Sequence, residues 1–236
     1  NTDLGVEIVP IEKGWAKTSI NATVFRYNSL ISQETTQIAS FYDSEGKVVI
    51  AKRNLSEKNW VIKNTGLNGN VRDAHNVISI ALDKEGYVHV SWDHHVDPIH
   101  YTRSKSPYSL DLEDPNTQNS EGKNDLLKEK KLTYPEFYRC KDDLLFFYRT
   151  GRSGSGDMML YKYLNTTKTW RCVKDHFVSG RIPTNFFERL LNFDFSTSNP
   201  YWQIAIDEKR EIIHLSWNWR DSGNAASNHD ICYAKS

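Results

Sequence analysis

Two histidine-bearing stretches stand out as places where protons could be moved. One is Asp73-Ala-His75-Asn76, just before the apolar run that begins at Val77; the other is Trp92-Asp-His94-His95, just after the run that ends at Ser91. The two runs are joined by an Asp/Gly turn, Asp83-Lys-Glu-Gly86, and read as the strands of a hairpin. A hairpin returns the end of its second strand beside the start of its first, so the two stretches should be neighbours on one rim. Imidazole accepts and returns protons near neutral pH. One histidine at a strand end is more readily structural than functional, but a cluster of them needs a reason. A metal is the other reading, with His75, Asp93, His94 and His95 as ligands, although His94 and His95 point to opposite faces if their strand continues.

A third cluster repeats the arrangement. Thr133-Tyr134-Pro135 opens one strand, and Tyr148-Arg149-Thr-Gly151-Arg152-Ser-Gly154-Ser-Gly156 closes its partner, so Tyr134 and Arg149 should lie together. The guanidinium is a planar fork suited to a carboxylate. A tyrosine beside it has a hydroxyl whose pKa is expected to fall, readying it for proton transfer. The glycine-rich run has neither a Lys-Ser/Thr pair nor a following helix, which excludes a nucleotide loop. Its glycines either let backbone approach a ligand or make a tight turn.

The elements that must hold these residues form a drifting repeat of apolar run, acidic turn and second apolar run. Its copies start at Gln37, Val77, Phe137 and Gln203, roughly 40–65 residues apart. Repeated hairpins at such intervals predict an all-β fold, a β-propeller with about four blades in this chain. The units run over 15–60, 71–110, 132–170 and from Tyr201 onward, in one domain spanning 1–236. The third ends in Tyr163-Leu-Asn-Thr-Thr-Lys-Thr-Trp170, which resembles the Asp-box turn of bacterial neuraminidase repeats. Residues 111–131, charged and poor in apolar side chains, read as a surface loop. Ile182–Leu191 is expected to form a short helix capped by Thr184.

Composition narrows the function. Lys plus Arg and Asp plus Glu number 30 each, a balance that argues against bulk nucleic-acid or membrane-surface binding. The 7 Trp and 12 Tyr suit blade cores first and carbohydrate-facing surfaces second. Cys140, Cys172 and Cys232 lack metal-knuckle spacing and are expected to be buried free thiols. No apolar stretch reaches membrane-span length, and the start at Asn1 lacks a signal-peptide pattern, as would a mature secreted form.

Taken in order, Asp-Ala-His75-Asn, Gly86-Tyr-Val-His-Val-Ser-Trp-Asp-His-His95, Thr-Tyr134-Pro-Glu-Phe, Tyr148-Arg149-Thr-Gly-Arg-Ser-Gly-Ser-Gly156 and His214-Leu-Ser-Trp-Asn-Trp-Arg220 resemble the BNR-repeat family that contains the propeller-type ulvan lyases, polysaccharide lyase families 24 and 25. The resemblance runs from about Trp15 to Ser236. It implies a seven-bladed ring, with this chain lacking its C-terminal blades or completed by a second chain. It also implies a secreted or periplasmic protein that cleaves an acidic, uronate-containing polysaccharide by β-elimination. His75, His95, Tyr134 and Arg149 correspond to catalytic positions, with Arg149 on the uronate carboxylate. Asn76, His94, Arg152, Tyr201 and Arg220 are the expected substrate contacts. The chemistry requires no cofactor. A structural divalent metal, zinc or calcium, is a further implication, with His214 and Cys232 as its candidate ligands. The alternatives are a sialidase-like hydrolase, for which no acid partner is placed beside Arg149, Arg152 and Arg220, and a carbohydrate-binding propeller without turnover.

Overall fold

The computed structural model describes residues 5–24, 26–116, 124–180 and 198–236, and they are almost entirely β-structure. The first sheet is a meander of β1 (Leu30–Gln33), β2 (Thr36–Tyr42), β3 (Lys47–Asn54) and β4 (Val61–Asn68). The second holds β5 (Ile78–Leu82) and β6 (Val88–Trp92). The chain then leaves through β7 (His95–Asp97), which belongs to another sheet, before β8 (Tyr101–Arg103) returns to pair with β6. The third sheet is β9 (Leu132–Cys140), β10 (Asp143–Thr150), β11 (Met158–Leu164) and β12 (Thr169–Val178), with β7 added along β9. The fourth is β13 (Asn199–Asp207), β14 (Ile212–Arg220) and β15 (Asn228–Lys235). These are four propeller blades.

The blades pack face to face, and period-two alternation decides what each face carries. Ile78, Ile80 and Leu82 of β5 face the first blade, where they join Ile38, Tyr42, Val48 and Ile50. Along β10, Phe146 and Tyr148 pack toward the second blade with Tyr101 and Trp170, while Leu145 and Phe147 pack toward the fourth with Trp202 and Leu215. Strands buried on both faces read as continuous apolar runs, which is why the repeat was visible in the sequence. Arg149 continues the Leu145, Phe147 face. That parity alone aims it at the fourth blade.

The acidic turns share one chemistry. Asp43 Oδ1 accepts from the backbone N–H of Glu45 and Lys47, each at 2.9 Å, and Asp83 Oδ1 accepts from Glu85 and Tyr87, again at 2.9 Å. Gly46 and Gly86 close these turns at φ of 81° and 87°. A side chain on Gly86 would meet the Tyr108 ring at 2.6 Å.

Several expectations need adjustment. The first blade runs on to Asn68, because the polar stretch after Trp60 pairs with β3. The charged 111–131 stretch is not all surface: Leu126, in a 3-10 turn over Asp125–Lys128, is fully buried beneath the third blade. The three cysteines are free but half-buried rather than buried, with Cys140 and Cys172 packing at the margins of the blade cores. The helix expected over Ile182–Leu191 lies outside the described residues. No helix among the described residues is long and apolar enough to cross a membrane.

Candidate active site

The tight turn that follows β4 carries Asp73. Its Oδ1 accepts from the backbone N–H of His75 at 3.0 Å, an Asx-type turn. The same carboxylate then binds two imidazoles: Oδ1 lies 2.7 Å from His75 Nδ1 and Oδ2 lies 2.6 Å from His95 Nδ1. The two rings stack with centroids 4.2 Å apart and planes at 22°. Burial alone would raise the Asp73 carboxyl, but its hydrogen bonds to the His75 backbone and to both rings outweigh it and hold the group down at about 2. An ionised Asp73 makes both Nδ1 atoms donors, so in the neutral rings Nε2 is the basic nitrogen.

His95 reaches this position by leaving its blade. After β6 the backbone turns at Asp93 and again at Val96, at φ of 64° and 68°. Between them His95 pairs with Thr133 on β9, and Thr133 pairs on its other side with Arg149 on β10. His95, Thr133 and Arg149 therefore stand in register across three strands. The rim that the sequence reading assigned to one blade is the seam between the second and third.

Tyr134 follows Thr133 at a break in that register. The pairing of β9 with β10 shifts between Phe147 and Arg149, a β-bulge, and Tyr134 takes a φ of 58° immediately before Pro135. Left-handed backbone is costly for a bulky residue, and a following proline disfavours it further. The bulge turns the Tyr134 ring out of the strand alternation, 6.0 Å from His75 on one side and 6.0 Å from Tyr201 on the other.

Behind the two tyrosines lies Arg149, only 1% exposed. Its guanidinium carbon sits 5.0 Å from the Tyr134 ring centre and 5.5 Å from that of Tyr201, and Nη1 donates to the Tyr201 hydroxyl at 3.0 Å. Arg220 of β14 lies over the Tyr201 ring, 4.0 Å from its centre, and donates to the same hydroxyl at 2.8 Å. Ser153 Oγ completes the set at 2.9 Å. Burial would raise Tyr201, yet Ser153, Arg149 and Arg220 together pull it below the ordinary tyrosine value. Tyr134 goes the other way, up to about 12, because of burial and the neighbouring Tyr201. The lowered hydroxyl is thus Tyr201 and not Tyr134, since Arg149 meets Tyr134 at its ring face and Tyr201 at its oxygen.

Three expected ligand contacts also change. Arg149 does not offer its fork to solvent; its charge reaches the site through the Tyr201 hydroxyl and the Tyr134 ring. His94 is 0% exposed, its Nε2 accepting from the His100 backbone N–H at 2.8 Å, so it braces the turn under His95. Asn76 is 2% exposed and donates to Asn70 O at 3.1 Å, holding the Asp73 turn from below. Arg152 is exposed on the glycine-rich loop, and Arg220 is half-buried. The glycines serve packing: Gly154, at φ 84°, sits so close to the fourth blade that a Cβ would lie 2.6 Å from Ser222 Cα. That contact carries Ser153 to Tyr201.

A sequence model of BNR repeat-containing family members matches residues 36–236. The chain belongs to the BNR repeat-containing family. Among solved structures, a polysaccharide lyase named Uly1 superposes with a TM-score of 0.68 at 17% identity, over 99% of this chain and 56% of that one. An ulvan lyase of family PL25 superposes with a TM-score of 0.66 at 15% identity, over 90% of this chain and 51% of its own. A complex of such an ulvan lyase with -[GlcA(1-4)Rha3S]- gives 0.64 at 15% identity. This BNR-repeat chain spans about half the length of those structures, and the likeness is one of propeller fold. No curated protein matches its sequence.

Within this family member, Asp73, His75 and His95 are the one group among the described residues whose donor atoms gather closely enough to hold a metal, within 4.8 Å of one another. The carboxylate–imidazole distances in that group are hydrogen-bonding ones. Asp93 and His94 stand apart from it. His214 and Cys232 do not form a site, because Cys232 pairs with Trp217, three positions beyond His214, and the two side chains leave opposite faces of the sheet.

Two residues of the site went unassigned in the sequence. Asp73 and Ser153 were both inside motifs singled out for their neighbours; the Asp-x-His spacing, which permits the Asx turn, was the available signal for the first. A third, Glu136, is 3% exposed, and burial raises its carboxyl to about 7 despite hydrogen bonds from Tyr138 and Trp202. The raised value favours the folded protein below about pH 4.5, and the benefit is lost as pH rises through 7. Glu136→Gln is therefore expected to stabilise the protein at pH 8 by on the order of 2–4 kcal/mol, roughly 5–10 °C in Tm, and much less at pH 4. Thermal melts at the two pH values check it.

Proposed function

We propose that this chain carries the catalytic rim of a polysaccharide lyase that cleaves an acidic, uronate-containing polysaccharide, ulvan-like in its alternating uronate, by β-elimination. The observation that carries this reading is the Asp73-held imidazole pair, whose His75 ring stands 6.0 Å from Tyr134, with Tyr134 in turn against Arg149 and against a Tyr201 hydroxyl held by Arg149 and Arg220. Elimination needs a base for the uronate C5 proton, a cation for the charge that spreads onto the carboxylate, and an acid for the departing oxygen at C4. His75 Nε2 is assigned as the base, its tautomer set by Asp73, with His95 sharing the positive charge that develops. Tyr134, raised to about 12, keeps its proton until the leaving oxygen needs it. The C5–H and C4–O bonds break, a C4=C5 double bond forms, and the Tyr134 oxyanion regains its proton from the imidazolium by way of solvent. Arg220 is the guanidinium able to meet the uronate carboxylate, while Arg149 and Tyr201 stabilise charge from beneath.

A hydrolase needs a second carboxyl across the bond. In this site the carboxyl on the rim, Asp73, is committed to two imidazoles, which favours elimination. A secreted or periplasmic location, blades beyond this chain completing the ring, and chemistry without a cofactor belong to the same proposal. Ultraviolet absorbance of the unsaturated uronate product, read on a panel of uronate polysaccharides, tests it. Tyr134→Phe should abolish that signal at unchanged melting temperature; near-normal elimination by this variant would remove Tyr134 from the chemistry and return the site to binding.

A further inference from the structure

The two imidazoles ride on different loops, and a hydrogen bond between those loops takes no part in the chemistry above. Asp73 and His75 sit on the turn after β4, whereas His95 lies beyond the left-handed backbone of Asp93, at φ 64°. Asp93 Oδ1 accepts from the backbone N–H of Asn70 at 2.7 Å. Asn70 is where the first loop is tied together: its carbonyl accepts from the Asp73 backbone N–H at 3.3 Å and from Asn76 Nδ2 at 3.1 Å. A carboxylate two residues before His95 thus grips the loop that carries His75. The neighbouring Trp92 Nε1 donates to Asn68 O at 3.1 Å, so the β6 end stays anchored to β4 even without Asp93.

Building on the lyase reading, we infer that Asp93 is a positioning residue for the proton-transfer pair, its carboxylate acting as a strut that fixes His95 against His75 and Asp73. Stacked rings 4.2 Å apart, with both Nδ1 atoms on one carboxylate, need the two loops held to within a fraction of an ångström. The Asp73–His95 contact cannot do this alone, because it joins two side chains that both rotate. The Asp93 bond reaches a backbone N–H from the very residue that turns the chain, and an ionised acceptor makes it one of the stronger kinds of hydrogen bond. His75 depends on it less, since Asp73 holds that ring within its own loop. Loss of the strut therefore frees His95 first. The base keeps its tautomer while its charge-sharing partner leaves, a defect of turnover rather than of substrate binding. If Asp93 served only to make the left-handed turn, glycine would do as well.

Two substitutions separate the bond from the turn. Asp93→Asn keeps an acceptor oxygen and is at ease in left-handed backbone; Asp93→Gly is at ease there too but has no acceptor. Each is assayed below its melting temperature by ultraviolet product on a uronate polysaccharide that the parent cleaves, and the imidazole Nδ1–H protons are followed by NMR. Asp93→Gly is expected to lower kcat about 10–100-fold with KM within about threefold, and to lose the hydrogen-bonded Nδ1–H signal of His95 while keeping that of His75. Asp93→Asn should stay within about threefold of the parent and keep both signals. A near-normal kcat in Asp93→Gly overturns the strut, as does a rise in KM without a fall in kcat. Equal impairment of the two variants also overturns it, by assigning the effect to the charge. So does loss of cooperative melting in Asp93→Gly, which would make Asp93 a folding residue. A parent that eliminates none of the polyuronates removes the lyase reading instead; the strut then stands or falls on whether the His95 signal vanishes in Asp93→Gly and persists in Asp93→Asn.

Discussion

Asp73→Asn is expected to lower elimination about 10²–10⁴-fold with the fold intact. One carboxylate serves two rings. Asp73 accepts from His75 Nδ1 through one oxygen and from His95 Nδ1 through the other. An asparagine presents one carbonyl and one amide nitrogen, so one imidazole keeps its donor partner and the other faces a donor. That second ring must move its proton to Nε2, the atom that would have taken the substrate proton, or swing away. When the disfavoured ring is His75 the base is lost; when it is His95 the stacked pair at 4.2 Å loses its partner charge. An acid-stability comparison separates this from a folding defect. The Asp73 carboxyl is held at about 2, so its contribution to stability is full above about pH 4 and is lost as pH falls toward 2. Asp73→Asn should flatten the fall in Tm across that window and leave the neutral-pH fold unchanged by circular dichroism. Elimination within tenfold of the parent would mean that the imidazole pair does not depend on Asp73.

The parts of this site that could be read from the sequence are those that depend on strand ends. A hairpin brings its first and last residues together whatever the third dimension does, so the nearness of His75 to the 92–95 stretch, and of Tyr134 to Arg149, followed from turn positions alone. What could not be read depends on positive-φ backbone at residues other than glycine. Asp93 and Val96 carry the chain out of the second blade, and nothing in Trp-Asp-His-His-Val announces that His95 will pair with Thr133 in the third. Tyr134 takes the same kind of backbone before a proline, where local preference argues against it, and that departure tips its ring toward His75. Departures of this sort gather where function needs a side chain aimed off the lattice of the sheet. Electrostatics was the other blind spot. Sequence placed a tyrosine next to an arginine, but not whether the arginine met its oxygen or its face, nor that burial and the neighbouring Tyr201 send Tyr134 up while Ser153 and the two arginines send Tyr201 down. The buried state of Asn76, His94 and Arg149 is likewise a matter of how blades stack, which a single hairpin does not encode.

Arg149→Met should lower kcat by about 10²–10³-fold while the substrate still binds. Methionine keeps most of the apolar stem and so preserves the contact with Gly156, which is packed so closely that a Cβ there would lie 3.0 Å from Arg149 Cγ. What it removes is a buried positive charge and the donor to the Tyr201 hydroxyl. Tyr201 would then rise toward its ordinary value and above, since only Arg220 and Ser153 would remain to offset burial. Charge that builds on the uronate during elimination would lose the buried cation that supports it from beneath, an effect that falls on the transition state. Arg149→Lys should be a poor rescue, because an ammonium cannot hold Tyr201 while lying against the faces of two rings. Arg220→Ala supplies the contrast: as the half-exposed guanidinium at the same hydroxyl, it should raise KM more than it lowers kcat. If Arg149→Met leaves kcat within a few-fold of the parent at matched Tm while Arg220→Ala removes it, the buried arginine is a packing residue and the carboxylate charge is managed from the surface alone.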